Sequence, residues 1–269
     1  MVRDLYMFSK VDPEADVVWF KINYENTLHS EADITAFFAD KDLDIRFAYL
    51  DSSEDPSKGK YVMFTEAKKG RDIKSIAEEL EKKDIVLGLD WGYSKNRVIQ
   101  SVDFPLHILG DRAVMIRAKT FVNFLNVLNE HVPQSEGLLT IVGLRNGEGA
   151  ARYLRGVTEM DDSNFLELLK ELLMAAGWGI LDYDMDVDEL KGSARIRESF
   201  IAGEYEDSDT PVCGYISGFL AGYISESLGK VVQVRETRCE SMGDVLCEHI
   251  ISPVPEGAKI EHLLRGGSN

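Results

Sequence analysis

Between residues 17 and 91 the spacing of apolar positions switches repeatedly between a strand period and a helix period. Residues 17–24 are dense in β-branched and aromatic side chains and predict a strand. Residues 31–39 carry Ile34, Phe37 and Phe38 at helical spacing. Residues 45–50 alternate again, and Asp51 to Lys60, with its Asp, Ser, Pro and Gly, predicts a turn. Tyr61 to Thr65 is a further strand. Asp72 to Lys82 places Ile73, Ile76, Ala77 and Leu80 on one helical face, and Ile85 to Trp91 closes the set as a strand. The order is strand, helix, strand, strand, helix, strand, which is the split βαβ arrangement.

Asn96 to Asp111, with Pro105 and Gly110 between two periodic stretches, is the linker expected. Beyond it Ala118 to Leu128 predicts a helix with Phe121, Phe124, Leu125 and Leu128 inward. Further helices are expected at Gly149 to Leu154 and Phe165 to Ala176, and strands at 178–187 and 193–200. A helix from Val212 to Leu228 and strands at 230–236 and 245–251 complete the pattern. The class expected is α+β, with one domain over residues 1–100 and a second over 101–269. The first resembles a small ferredoxin-like, ACT-type regulatory domain in its element order.

Composition narrows the function. A hydrophobic fraction of 44% supplies ample core. The net charge of -17 opposes binding to nucleic acid, whose phosphates are held by clustered Lys and Arg. It also opposes attraction to anionic lipid. No run of eighteen apolar residues predicts a membrane span, and Met1 to Leu5 lacks the apolar core of a secretory signal. Three cysteines without such a signal predict a reducing, cytoplasmic setting.

All three cysteines fall between residues 213 and 247, with Glu236 among them. Cys213, Glu236, Cys239 and Cys247 form a ligand set of the kind and number that a tetrahedral zinc takes. Cys213 follows Pro211 at the expected first turn of a helix, where the helix dipole favours a thiolate. Glu236 ends a strand on the face of Val232 and Val234, and Cys239 and Cys247 flank a Gly243-Asp244 turn. Three buried structural cysteines beside an exposed glutamate would fit the same spacing, since free cysteine is commonly buried.

The run from Pro211 to Tyr223, Glu236-Thr-Arg-Cys239 and Gly243-Asp-Val-Leu-Cys247 resemble the 4-vinyl reductase domain, as do Gly177-Trp178-Gly179 and Glu198-Ser199-Phe200. The resemblance runs over residues 110–252. It implies that Cys213, Glu236, Cys239 and Cys247 hold Zn²⁺, as the matching positions do in phenol-responsive transcription activators. It also implies helices packed on an antiparallel sheet, a fold shared with vesicle-tethering subunits, and a largely apolar small-molecule pocket. The chain carries no ATPase P-loop and no recognisable DNA-binding helix pair, so an activator of that kind is not expected.

Gly214, Gly218 and Gly222 line one helical face, readable as a dimer or ligand contact or as tight helix-on-sheet packing. Gly143 to Gly149 is glycine-rich without a P-loop ending and predicts a plain loop leading into a helix. His249 lies two residues beyond Cys247 and shares its strand face, as a partner of the metal ligands or as a core or surface histidine. Asp182, Asp184, Asp186 and Asp188 alternate, fitting a hard-cation site or an exposed strand edge. Trp178, Phe200, Tyr205, Tyr215, Phe219 and Tyr223 surround the cysteine helix; Trp178, Phe200, Tyr215, Gly218 and Phe219 are the pocket candidates.

The function expected is a zinc-containing cytoplasmic ligand-binding or regulatory protein. It would form a homodimer and bind a small hydrophobic or aromatic molecule. The alternatives are a reductase or accessory factor in tetrapyrrole metabolism and a protein-interaction scaffold. No nicotinamide or flavin fingerprint and no nucleophile-base pair supports an enzyme.

Overall fold

The computed structural model describes residues 14–53, 55–94, 105–205 and 207–254. The chain divides into two compact units, Met1–Phe104 and Pro105–Asn269. Its class is α+β, with antiparallel sheets and helices.

The first unit runs β1 (Ala15–Glu25), α1 (Ser30–Asp40), β2 (Asp44–Asp51), β3 (Lys58–Lys68), α2 (Ile73–Glu81) and β4 (Val86–Tyr93). Its sheet order is β2-β3-β1-β4, all antiparallel. Val18, Phe20, Ile22 and Tyr24 of β1 share a buried cluster with Ile34, Phe37 and Phe38 of α1 and Ile73, Ile76, Ala77 and Leu80 of α2. The helical periodicity of the sequence therefore marks the faces that are buried. Asp72 caps α2, accepting the Ser75 N–H at 3.1 Å. β3 begins three residues before its expected start. Lys58 and Lys60 look like turn residues, yet Lys60 pairs with Asp51 across the hairpin. Both faces of the sheet are apolar, for Val17, Val62 and Phe64 form a second cluster with Trp19, Phe47 and Tyr49.

The second unit opens with a two-strand ladder, β5 (His107–Ile108) and β6 (Asp111–Arg112). It occupies the end of the expected linker, whose residues 96–104 lie outside the described residues. Leu109 and Gly110 make its turn with positive φ of 49° and 78°. Then follow α3 (Ala118–His131), α4 (Ser135–Val157), α5 (Asp162–Ala175), β7 (Ile180–Asp186), β8 (Lys191–Arg197), α6 (Gly214–Leu228), β9 (Val232–Arg238) and β10 (Cys247–Pro253). The sheet order is β7-β8-β10-β9, antiparallel throughout.

Two expectations need correction. In α3 the buried pair is Val122 and Leu125, and Phe124 points outward at 56% exposure. The glycine-rich stretch 143–149 is not a loop: it lies inside the long helix α4. Glycine is a poor helix former in isolation, so the sequence pattern misleads here, and packing supplies the missing stability. A Cβ on Gly143 would stand 2.1 Å from the Tyr215 carbonyl oxygen, and one on Gly147 2.1 Å from that of Phe219. From the other side, a Cβ on Gly218 would meet the Thr140 carbonyl oxygen at 2.0 Å and one on Gly222 that of Leu144 at 2.0 Å. α4 and α6 thus run parallel with backbone against backbone, each setting its glycines against the other's carbonyls. The stripe on α6 is helix-on-helix packing within the chain, not a helix-on-sheet contact.

α6 is buried on almost every side, including Ile216, Phe219, Leu220, Tyr223 and Ile224. Each such side chain contributes roughly 1.5–3 kcal/mol by leaving water. Gly229, at φ 62°, ends the helix in the left-handed conformation. At the rim of the α4–α6 contact, Asn146 donates to the Tyr215 hydroxyl at 3.0 Å and Arg152 pairs with Glu226 at 3.2 Å.

The interlock gives a paired expectation for urea denaturation. Gly218→Ala forces the helices apart and should lose about 3 kcal/mol by overpacking. Gly156→Ala, on helix α4 with nothing within 4 Å of its new methyl, should gain about 0.5–1 kcal/mol. Equal stability of the two variants would contradict the interlock.

Candidate metal centre and aromatic cleft

The chain path brings Cys213, Glu236, Cys239 and Cys247 together from three elements. Cys213 is the residue that caps the N-terminus of α6, and its own N–H donates to Glu236 Oε2 at 2.7 Å. Glu236 sits near the end of β9 on the side of the buried Val232 and Val234. Cys239 follows β9 directly and Cys247 opens β10, so the hairpin delivers both thiols to one place. The loop folds around Cys239: its N–H donates to Asp244 Oδ2 at 3.0 Å, and its carbonyl accepts from Met242 N–H at 2.9 Å. Gly243, at φ 90°, makes the reversal possible without strain.

The four ligand atoms lie within 4.8 Å of one another, and the three cysteines are fully buried free thiols. Cys247 Sγ is 3.8 Å from Cys213 Sγ and 3.8 Å from Cys239 Sγ. Glu236 Oε1 is buried without a hydrogen-bond partner among the described residues. Each sulfur also has a donor near it. Ser199 Oγ is 3.5 Å from Cys213 Sγ, Ser241 Oγ is 3.1 Å from Cys239 Sγ, and Glu240 N–H points at Cys247 Sγ from 3.5 Å.

Four acidic groups so placed cannot all ionise unaided. Two like charges ~4 Å apart repel by about 4 kcal/mol even at an effective dielectric of ~20. The side chains alone answer by sharing protons. The bond from Cys213, with further bonds from Cys247 and Ser241, pulls the Cys239 thiol far down. Its bond to Cys239 pushes Cys213 up. In Cys247 the pull of Cys213 is outweighed by Cys239 and by burial, and the thiol rises. Burial, with Cys239 beside it, lifts the Glu236 carboxyl to about 8. A metal cation at the centre of the four would relieve the repulsion and satisfy the orphaned Oε1 together. The donor set and its spacing therefore fit a metal ion.

His249 is buried, with Nδ1 2.9 Å from Ser217 Oγ and Nε2 unpartnered among the described residues. Burial holds its pKa down to about 4, so the ring is neutral in the core. The alternating aspartates form an exposed strand edge on β7. There Asp186 accepts from the Asp188 and Glu189 N–H groups at 3.0 Å, and Asp182 approaches Lys170 at 3.6 Å.

The pocket candidates divide. Trp178, Tyr215 and Phe219 line a cleft of ≈ 480 Å³ together with the hairpin residue Leu109, Tyr153 and Asn146 of α4, and Leu172 and Leu173 of α5. Phe200 packs on Trp178 at 5.4 Å and on Phe121 at 5.6 Å, outside that lining. Gly218 faces the Thr140 carbonyl and borders no cavity described here. Tyr223 stacks on Phe165 at 5.3 Å and donates to its carbonyl at 3.0 Å, as a core residue. Between α5, α6 and the sheet only ≈ 10 Å³ is empty, room for about one water. Asn146 and Gly149 also line the cleft, and the sequence does not signal them, because local propensity around them favours a loop.

Comparison with known proteins follows the geometry. Residues 193–253 match the family model of the 4-vinyl reductase domain. The phenol regulator MopR of Acinetobacter guillouiae is 34% identical over 62 residues, which are 23% of this chain and 11% of that protein. An uncharacterized protein of Methanocaldococcus jannaschii is 28% identical over 92 residues, 34% of this chain and 53% of that one. The chain thus spans 11% and 53% of the lengths of these curated relatives. The crystal structure of the phenol-responsive sensory domain of the transcription activator PoxR with phenol superposes with a TM-score of 0.48 at 20% identity, covering 58% of this chain and 86% of that one. The carboxy-terminal unit, which carries the cysteine cluster, contains a 4-vinyl reductase domain.

Proposed function

We propose that the protein is a zinc-containing regulator whose 4-vinyl reductase domain binds a small hydrophobic or aromatic molecule. The observation that carries the metal is the cluster itself. Zinc–thiolate bonds of ~2.3 Å in a tetrahedron set the sulfurs about 3.8 Å apart, and both contacts of Cys247 have that length, 3.8 Å. Three thiolates and one carboxylate fill the four positions of the ion and leave none for water or substrate. The zinc is therefore structural and supplies no chemistry beyond cross-linking. It fastens the N-terminus of α6 to β9 and β10. The ligand reading is supported by the likeness of this domain to a phenol regulator and by a cleft lined with aromatic side chains in the same unit.

The same reading sets the protein in a reducing cytoplasm, where buried thiols stay free to bind metal. Among the described residues no helix is long and apolar enough to cross a membrane. We take the assembly to be a homodimer, the commonest oligomer. Phe124 and Val127 of α3 and Leu138 and Val142 of α4 are apolar side chains left exposed on the single chain. The first unit, with its βαββαβ order, is the regulatory partner of the zinc-binding domain in this reading.

Protein purified without added metal should contain about one zinc per chain by elemental analysis. Cys239→Ser should lose most of it and destabilise the second unit by several kcal/mol. Full occupancy in a variant lacking all three thiols would sink the metal assignment. For the ligand, a thermal-shift screen of phenols, short hydrocarbons, tetrapyrroles and nucleotides should raise the melting temperature only with apolar or aromatic compounds. Stabilisation by nucleotides alone would overturn the reading. Light scattering should return twice the chain mass at micromolar concentration, and a monomer there would remove the dimer.

A further inference from the structure

Where a small molecule would sit is not obvious from the fold. The layer between α5, α6 and the sheet is filled by Leu166, Leu169, Leu181, Tyr183, Ala194 and Ile251 around ≈ 10 Å³ of space. No aromatic ring fits there without opening the core. The space lies on the other side, in the cleft of ≈ 480 Å³ among α4, α5, the β5–β6 turn and the flank of α6. Its size falls within the ~300–1,000 Å³ of ordinary ligand clefts.

We propose that this cleft binds a neutral planar aromatic molecule bearing a hydroxyl group. The proposal rests on the reading that the domain takes an aromatic ligand, and it specifies the place and the chemistry. Three features of the wall carry it. Trp178, Phe219 and Tyr215 are held edge-to-face and tilted against one another, with Trp178 4.8 Å from Phe219 and 5.6 Å from Tyr215, and they offer flat apolar surface. Offset and edge contacts with such rings favour an aromatic partner over an aliphatic one of equal area.

The second feature is polar. Tyr215 Oη accepts from Asn146 Nδ2 at 3.0 Å, and both residues border the cleft. Its own hydroxyl proton then has no acceptor among the described residues, and Asn146 Oδ1 has no donor among them. A ligand hydroxyl answers both, accepting from Tyr215 and donating to Asn146. A hydrocarbon would leave both unused.

The third feature is charge. Arg145 borders the cleft but is paired with Glu148 at 3.0 Å, and Asp111 also lines the wall. An anionic ligand would find its counter-ion already taken and a carboxylate beside it, so the neutral hydroxy compound is favoured over an aromatic acid.

Gly149 makes the test clean. It lines the cleft, and a Cβ there meets nothing within 4 Å. Gly149→Leu fills the space without disturbing the α4–α6 contact, and replacing a helical glycine favours the helix. Gly156→Leu, about two turns further along α4 and equally open, stands outside the cleft and serves as the matched control. Calorimetric titration of the full zinc-loaded chain with 1-naphthol, naphthalene and 1-naphthoate is the experiment. The wild type should bind 1-naphthol most tightly. Gly149→Leu should weaken that binding at least tenfold and Gly156→Leu should not change it. Tyr215→Phe should weaken 1-naphthol by about fivefold, as loss of one neutral hydrogen bond does, and leave naphthalene unchanged. Wild-type affinity retained in Gly149→Leu would overturn the cleft while leaving aromatic binding by the domain intact. Preference for naphthoate would overturn the charge argument and the ligand class with it. No binding of any of the three by the wild type would overturn the cleft and the aromatic reading together.

Discussion

Three thiols and a carboxyl group, buried with their ligand atoms inside 4.8 Å, set the terms for the carboxy-terminal half of the molecule. Groups of one sign so close are stable only if they share protons or share a cation. Side chains alone achieve the first by depressing Cys239 and lifting Cys213, Cys247 and Glu236. That arrangement still leaves Glu236 Oε1 buried and unpartnered among the described residues. A metal ion removes both difficulties, and the binding free energy it brings becomes folding free energy. Ser199, Ser241 and the Glu240 N–H, one donor near each sulfur, suit thiolates better than thiols.

The cluster fixes one end of α6, and the rest of the unit is arranged on that helix. α6 cannot move away from the β9–β10 hairpin at its N-terminus, and along its length it cannot move away from α4. Gly143, Gly147, Gly218 and Gly222 bring the two backbones into contact, so the pair behaves as one rigid double rod. Rigid neighbours on either side leave no freedom for the aromatic residues between them. Trp178 is held by Leu173, whose carbonyl accepts its N–H at 2.8 Å, and by the Phe200 N–H donated to its own carbonyl at 3.0 Å. The cleft at Trp178, Tyr215 and Phe219 is therefore preformed, which lowers the ordering cost of binding.

Much of this is legible in the sequence where one residue reports on one local geometry. The strands and helices of the first unit follow their apolar periods because each face meets a single core. The metal residues are legible because their chemistry is rare and their spacing sets them at a helix start, a strand end and a hairpin. The glycine-rich segment 143–149 misleads because local propensity argues for a loop. The contact that stabilises it lies 72 or more residues away, at Tyr215 and beyond, and no local signal carries it. The outward turn of Phe124 and the filled layer beside the sheet depend likewise on which helix face meets which neighbour. Asn146 and Gly149 become visible as cleft residues only once α4 is seen to be continuous.

The central claim is that the four side chains act as one closed coordination shell. X-ray absorption at the zinc edge, on protein purified without added metal, tests it most directly. The account expects three sulfur neighbours at ~2.3 Å and one oxygen at ~2.0–2.2 Å, with no further water in the shell. A shell of nitrogen and oxygen only, or a folded second unit with no metal bound, would contradict it.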